Sequence, residues 1–356
     1  MNTPLPTDNP TPLTVLAGFL GAGKTTLLNR ILNGEHTMKI AVLVNDFGAI
    51  NIDAALIVDV SDEEDTITLS NGCICCTIRD DLLEATLGLI QRDDPPDYIV
   101  VEASGVSDTI DVALAFRYMR QIKINSIISV IDAEQFIDVT REHRVLAMNQ
   151  IGMADVIIIN KVDLVSDEKL TELQKYIYDL MPRSRVLEAV QCDVPLELLF
   201  DTGNYNIEEA LAQPKTDVHI HSADEHHHDH EHTDHTTVFA TWNWTSDEPL
   251  SFRALKHMTE ALPLNIYRAK GFFFLADEPD RRAVLHIVGK RVELKLEHWD
   301  KDNQQSQFVV IGLQGGIIPD ELQSLLDGCL AKNAPKSEVE RLAESALSWL
   351  RRKRDD

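Results

Sequence analysis

The sequence predicts an α/β protein: a doubly wound, mostly parallel domain followed by a small α+β domain. Three observations predict it. Between Leu13 and about Phe200, short apolar runs rich in Val and Ile (LTVLAG, KIAVLVN, DYIVVEASG, SIISVIDA, DVIIIN) alternate with longer amphipathic stretches. Unbroken apolar runs of that length read as strands buried on both faces, which is the habit of a parallel sheet covered by crossover helices. Residues 201–236 then turn polar and histidine-rich, and from Thr237 strand-like and helix-like segments return in another arrangement.

Taken in order, residues 1–12 (MNTPLPTDNPTP) read as a disordered lead-in. They lack the basic start and apolar centre of a secretory signal, so a cytoplasmic protein is expected. Residues 13–200 form the first domain and 201–236 an acidic, His-rich linker. Residues 237–332 form the second domain, with strands at TTVFATWNW, NIYRAKGFFFLAD, AVLHIVG, RVELKLEHW and SQFVVIGL, and helices at SFRALKHMTEAL and PDELQSLLDGCL. The alternation in RVELKLEHW predicts a sheet with one solvated face. Residues 333–356 read as an amphipathic helix that packs on its own domain or meets a partner. No run of about 18 apolar residues exists, so no membrane span is expected. The formal net charge of −25 repels phosphate backbones and argues against nucleic acid as a partner.

The chemistry begins at GFLGAGKTT, residues 18–26. Gly18, Gly21, Ala22 and Gly23 form a loop between an apolar strand and a helix, the setting in which backbone N–H groups converge on phosphate oxygens. Lys24 is expected to reach the β- and γ-phosphates, Thr25 to ligate Mg²⁺, and Thr26 to extend the cradle. Glu102, ending the run YIVVE, is the candidate acid that holds Mg²⁺ or orients attacking water. Asp53, in the acidic, Gly-containing stretch after the second strand, is the candidate for the Mg²⁺ shell or for water positioning, with Asp46 a weaker one. Lys24, Glu102 and Asp53 are thus the expected catalytic set. Base choice is read from NKVD: Asp163 can accept two hydrogen bonds from guanine, Lys161 can lie over the base, and Asn160 completes the motif. In that order after a P-loop, these residues point to GTP and its hydrolysis.

Three of the five cysteines, Cys73, Cys75 and Cys76, fall within SNGCICCTIR, between the strand-like TITL and an amphipathic helix. Three soft thiolates in a short loop suit Zn²⁺, with Co²⁺ or another divalent ion as alternatives. A closed structural zinc site needs four ligands, so three suit exchange; small buried cysteines or a redox centre are the other readings. Cys192 and Cys329 stand alone and read as small buried apolar residues. Eight histidines in the linker, His219, His221, His226, His227, His228, His230, His232 and His235, are interleaved with acids. They read as an accessory metal collector or as plain solvated linker.

Together, GFLGAGKTTLLN, NDFG, GCICC, VVEASG and NKVD, in that order, resemble the CobW-type metallochaperone GTPases of the SIMIBI class. The resemblance runs from about residue 13 to 330 and includes RAKGFFFLAD and VVIGL. It implies GTP hydrolysis coupled to delivery of zinc, or in some members cobalt or iron-site assembly, to a client metalloprotein. By position it makes Lys24 and Thr25 the phosphate and Mg²⁺ contacts, Glu102 the acid of the second nucleotide motif, and Cys73, Cys75 and Cys76 the metal motif. One departure stands out: where the family commonly has NEFGE, this chain has Asp46 and Ala49 after Val44. A metal buffer or sensor without a client, and a regulatory GTPase with structural cysteines, are the alternative functions. An oligomer is compatible with every reading.

Overall fold

A computed structural model describes residues 10–34, 36, 38–45, 66–69, 77–103, 109–137, 145, 148, 151–200, 219–221, 239–299 and 304–334. In the first domain the strands are β1 (Thr11–Ala17), β2 (Ile40–Asn45), β3 (Thr66–Leu69), β4 (Tyr98–Glu102), β5 (Ile122–Asp132), β6 (Val156–Asn160) and β7 (Arg185–Ala189). The helices are α1 (Lys24–Asn33), α2 (Thr77–Ile90), α3 (Thr109–Phe116) and α4 (Asp167–Leu180). The strands form one sheet in the order β3-β2-β4-β1-β5-β6-β7. Every neighbouring pair runs parallel.

The apolar runs are explained by burial on both faces. Leu16, Val42, Val100, Val130 and Ile158 pack with Leu27, Leu28 and Ile31 of α1. Leu13, Val15, Leu43, Ile99 and Val101 pack on the other face with Leu82 and Phe116. Because all strands point the same way, the ends of β1, β2, β4, β5, β6 and β7 open onto one carboxyl edge. β1 lies between β4 and β5, so the loop after it starts where the strand order reverses, the usual ligand crevice of an open α/β sheet.

The second domain contains β8 (His219–His221), β9 (Phe239–Ser246), β10 (Ile266–Phe274), β11 (Arg281–Val288), β12 (Arg291–His298) and β13 (Ser306–Leu313), with helices α5 (Phe252–Ala261) and α6 (Pro319–Asp327). Its sheet is antiparallel, in the order β12-β11-β10-β13-β9-β8. Trp242, Trp244, Phe273, Phe308 and Val310 bury one sheet face against Leu255, Met258, Leu322 and Leu326 of the two helices. The Ser251 hydroxyl caps α5 by accepting Ala254 N–H, and Pro319 opens α6, where its missing N–H is not needed. Among the described residues no helix is long and apolar enough to cross a membrane.

Two elements depart from the sequence reading. RVLEA, which carries charges at Arg185 and Glu188, is strand β7 at the sheet edge, where only one neighbour pairs with it. The stretch read as linker contains β8, whose residues His219 and His221 pair with Thr241 and Phe239 of β9. These two histidines are therefore held in a sheet. His226, His227, His228, His230, His232 and His235, the tail 335–356, Asp46, Ala49 and Asp53 lie outside the described residues.

The domains share a core. Phe239, Tyr267 and Ile311 of the second domain belong to the same buried cluster as Leu28, Ile31 and Phe200 of the first. Around it, Tyr267 donates its hydroxyl to Val186 O at 2.6 Å, Arg185 Nε donates to Ile266 O at 3.1 Å, and Lys290 Nζ donates to Gly152 O at 2.9 Å. Arg291 pairs with Asp155 at 3.1 Å and Lys123 pairs with Glu293. Gly152, Asp155, Lys123 and Arg185 all precede or begin a strand. The second domain thus docks on the amino edge, away from the loops of the carboxyl edge.

One seam residue gives a pH prediction. His286 sits between Lys270 and Glu293 in the sheet register. Burial first, then the positive charges of Lys270, Arg268 and Lys123 against the single attraction of Glu293, push its imidazole down to about 3 from 6.5. Below pH 6.5 the unfolded chain takes up a proton that the folded chain refuses, so stability falls with pH until about pH 3. A His286→Gln variant is expected to flatten this acid-side slope, at most about 1.4 kcal/mol per pH unit. Urea midpoints between pH 7 and 4 read it directly; identical slopes in both proteins would refute it.

Candidate nucleotide site

The loop after β1 owes its shape to its glycines. Gly18, Gly21 and Gly23 have φ of 142°, 78° and 116°, the left-handed side of the map that other residues rarely adopt. Space forbids a side chain as well. A Cβ on Gly18 would lie 2.2 Å from Val130 O, and one on Gly23 would lie 2.3 Å from Asn160 Nδ2 and 3.0 Å from Cys192 Sγ. The loop is therefore pressed onto the ends of β5 and β6, with the N-terminus of α1 facing the crevice.

Lys24 opens α1 and is 5% exposed. Its Nζ lies 3.6 Å from Glu102 Oε1 and donates to Phe19 O at 3.3 Å. Glu102 ends β4 and is itself 2% exposed. The two residues expected to act on phosphate and metal are thus brought together, with Thr25 on the first turn beside them. A hydroxyl and a carboxylate are hard oxygen donors of the kind Mg²⁺ prefers, usually completed by waters and substrate phosphates, so these residues fit that ion. Asp53, the third expected member, lies outside the described residues.

The NKVD residues divide their labour. Asn160 is buried, its Oδ1 accepts Cys192 N–H at 2.8 Å, and its Nδ2 donates to Ala22 O at 2.8 Å. Its amide is spent stapling the P-loop to the loop after β7. Lys161 has φ of 63°, and its Nζ pairs with Asp132 Oδ2 at 2.7 Å. Asp132 Oδ1 also accepts the N–H groups of Glu134 and Gln135, so this carboxylate at the end of β5 fixes both its own loop and the lysine. The left-handed turn at Lys161 leads into a 3₁₀ turn, Val162–Leu164, that leaves Asp163 exposed. Its carboxylate is available to a base while the neighbouring residues are pinned.

Two participants escaped the sequence reading. Asp132 was read as the end of a strand; its spacing before NKVD gave no sign of the lysine it holds. Cys192 was read as a small buried residue. It is buried, with its thiol pushed up to about 12 by burial. It therefore keeps its proton, which it donates to Gly23 O, 3.3 Å from Sγ. Cys73, Cys75 and Cys76 lie outside the described residues. The connection that carries them leaves the sheet at Leu69, register partner of Asn45 at the end of β2, and rejoins it through α2 at Thr77. Among the described residues no group of three or more His, Cys, Asp or Glu is placed to hold a metal ion.

Residues 12–188 match the family model described as CobW/HypB/UreG, nucleotide-binding domain, and residues 239–330 match the cobalamin synthesis protein CobW C-terminal domain. The chain is 30% identical over 329 residues to a protein of Escherichia coli (strain K12) named zinc chaperone YjiA, covering 88% of this chain and 96% of that one. The chain belongs to the CobW family. Two more relatives of similar span carry related names. Zinc-regulated GTPase metalloprotein activator 1 of Dictyostelium discoideum is 28% identical over 350 residues, covering 86% of this chain and 72% of that one. Zinc chaperone CobW of Sinorhizobium sp is 27% identical over 339 residues, covering 85% and 92%. The CobW nucleotide-binding domain accounts for the P-loop, Glu102 and NKVD, and the CobW C-terminal domain for the sheet docked on the amino edge.

Proposed function

We propose that this CobW-family protein hydrolyses GTP and uses the cycle to hold and release a thiophilic metal ion, most simply Zn²⁺, for a client metalloprotein. The observation that carries the reading is the carboxyl edge of the first sheet. The P-loop, Glu102 and NKVD all open onto it, and the connection bearing Cys73, Cys75 and Cys76 departs from it at Leu69. The names of the relatives agree with it.

In this reading the P-loop amides and Lys24 take the phosphates, and Asp163 accepts the guanine N1–H and N2 amino protons. Thr25 and Glu102 hold Mg²⁺, which when bound neutralises charge on the phosphates. Lys24 would exchange its contact with Glu102 for phosphate oxygens. Asp53 serves the metal shell or aligns water. Thiolates of Cys73, Cys75 and Cys76 hold the cargo ion, with a fourth position left for the client. The histidines of the β8–β9 region act as a looser collector for the same ion. Work in the cytoplasm follows from the need for free thiolates.

The test compares wild type with a variant carrying Cys73→Ser, Cys75→Ser and Cys76→Ser, using a chelator to measure Zn²⁺ affinity with and without a non-hydrolysable GTP analogue. Loss of an outer partner of a metal ligand already costs about 10–100-fold in affinity, so the triple variant is expected to lose more than that. Wild-type affinity should also change when the analogue binds. Affinity that ignores the analogue would favour a metal buffer instead. Activation of an apo-metalloenzyme by loaded protein with GTP, absent with GDP, marks delivery.

A further inference from the structure

Residues 190–200, between β7 and the end of the first domain, touch both the nucleotide loops and the second domain. At one end Gln191 and Cys192 have φ of 51° and 54°. Two consecutive non-glycine residues in the left-handed region persist only where their surroundings over-determine them, and here those surroundings are the nucleotide site. Cys192 holds Asn160 through its N–H and Gly23 through its thiol. Arg30 of α1 donates to Gln191 O at 2.8 Å and pairs with Asp193 at 2.7 Å. Farther along, Leu196 lies against the far end of α1, its Cδ1 2.6 Å from where a Cβ on Gly34 would be. The segment therefore grips α1, the helix that carries the P-loop, at its start and at its last turn.

At its other end the same segment closes around one residue of β10. Residues 195–200 form a tight turn in which Leu198, Leu199 and Phe200 N–H groups bond to Pro195 O and Leu196 O. Leu198, Leu199 and Phe200 are wholly buried. The turn aims the carbonyls of Glu197 and Phe200 at the Arg268 guanidinium, which donates to both and is 3% exposed. Phe200 also packs against Tyr98 in a tilted arrangement, 5.6 Å between ring centroids.

We propose that Arg268 of the second domain is a positioning residue of the nucleotide site, acting through residues 191–200 on α1, Asn160 and the P-loop. Its contacts with Glu197 and Phe200 fix the turn, the turn fixes the left-handed pair, and the pair fixes the loops that bind base and phosphate. Docking of the second domain on the amino edge is in this way felt at the carboxyl edge. The inference rests on the nucleotide-site reading above.

The test is release of N-methylanthraniloyl-GDP and steady-state GTP hydrolysis by the full-length protein in three variants. Arg268→Met is expected to speed GDP release and raise KM for GTP by about 10-fold, with a smaller effect on kcat, within the range by which residues remote from a ligand alter its affinity. Arg268→Lys keeps the charge but loses the planar guanidinium whose Nη1 donates to both carbonyls, and is expected to fall between. Arg291→Met removes a guanidinium from the same seam but not from residues 190–200, and is expected to leave GDP release within about twofold of wild type. Equal shifts in Arg268→Met and Arg291→Met would overturn the inference, since general loosening of the seam would then suffice. If Arg268→Met does not fold, Leu196→Ala, at a half-buried position, must show the same faster release; wild-type release from it overturns the inference too. Wild-type protein that binds no GDP would overturn the nucleotide reading as well, whereas normal wild-type binding with unmoved variants overturns this inference alone.

Discussion

Lys24→Ala is expected to lower GTP turnover by about 10²–10³-fold, the usual cost of removing one preorganised charge donor from a phosphate or oxyanion site. The reason is position. Lys24 begins α1, is 5% exposed, and faces a crevice closed by Gly18, Gly23 and Asn160, so its charge acts where water screens little. The substitution has a second effect that must be separated from the first. It removes the ammonium that faces the buried Glu102 carboxylate, and breaking a buried pair from one side costs about 3–5 kcal/mol of stability. The double variant Lys24→Ala, Glu102→Gln discharges both groups. It is expected to recover most of the urea midpoint while turnover stays low. Phosphate release from Lys24→Ala at more than a third of the wild-type rate would remove Lys24 from the chemistry.

Asp163→Asn is expected to exchange base preference with no cost in stability. Asp163 is exposed on a turn whose neighbours are fixed by Ala22, Cys192 and Asp132, so the substitution leaves the scaffold untouched and should hold the urea midpoint within about 0.5 kcal/mol. In the proposed base pocket the carboxylate would accept two hydrogen bonds from guanine. An amide accepts one and offers a donor where guanine offers another. Hydrogen bonds to a charged group contribute about 1.5–3 kcal/mol each, so GTP affinity should fall by at least about 10²-fold. Xanthosine triphosphate, with a carbonyl at that position, should gain. Competition between the two nucleotides gives the ratio; a ratio equal to wild type would mean that Asp163 does not read the base.

What the sequence showed plainly was local chemistry. GFLGAGKTT and NKVD each compress a turn, a charge and a donor set into a few adjacent residues, and the structure places Lys24 beside Glu102. The five longest parallel-strand readings were legible because burial on both faces leaves no polar position to interrupt them. β7 was not, since an edge strand tolerates Arg185 and Glu188 and so lacks that signal. β8 was hidden in a polar stretch because a three-residue strand paired to one neighbour needs no pattern of its own. Partnerships were the least legible. Asn160 carries the right identity for a base motif, yet its amide is committed to Ala22 and Cys192, residues 138 and 32 positions away. Arg268 lies within the strand-like NIYRAKGFFFLAD with no local sign of a partner, and only the docking of two domains turns it into a buried donor.

The shared core of the two domains bears on how the chain can be taken apart. A polar stretch between two matched domains invites cutting at about residue 200 to obtain a minimal nucleotide-binding fragment. Such a fragment would leave Phe200, Tyr98 and the apolar flank of α1 facing water where Phe239, Tyr267 and Ile311 now cover them, and would strip the carbonyls of Glu197 and Phe200 of their donor. Modularity written in the sequence is not modularity of folding: with a core in common, the two halves are expected to melt together, and a truncated half is expected to expose apolar surface rather than behave as a simpler version of the whole.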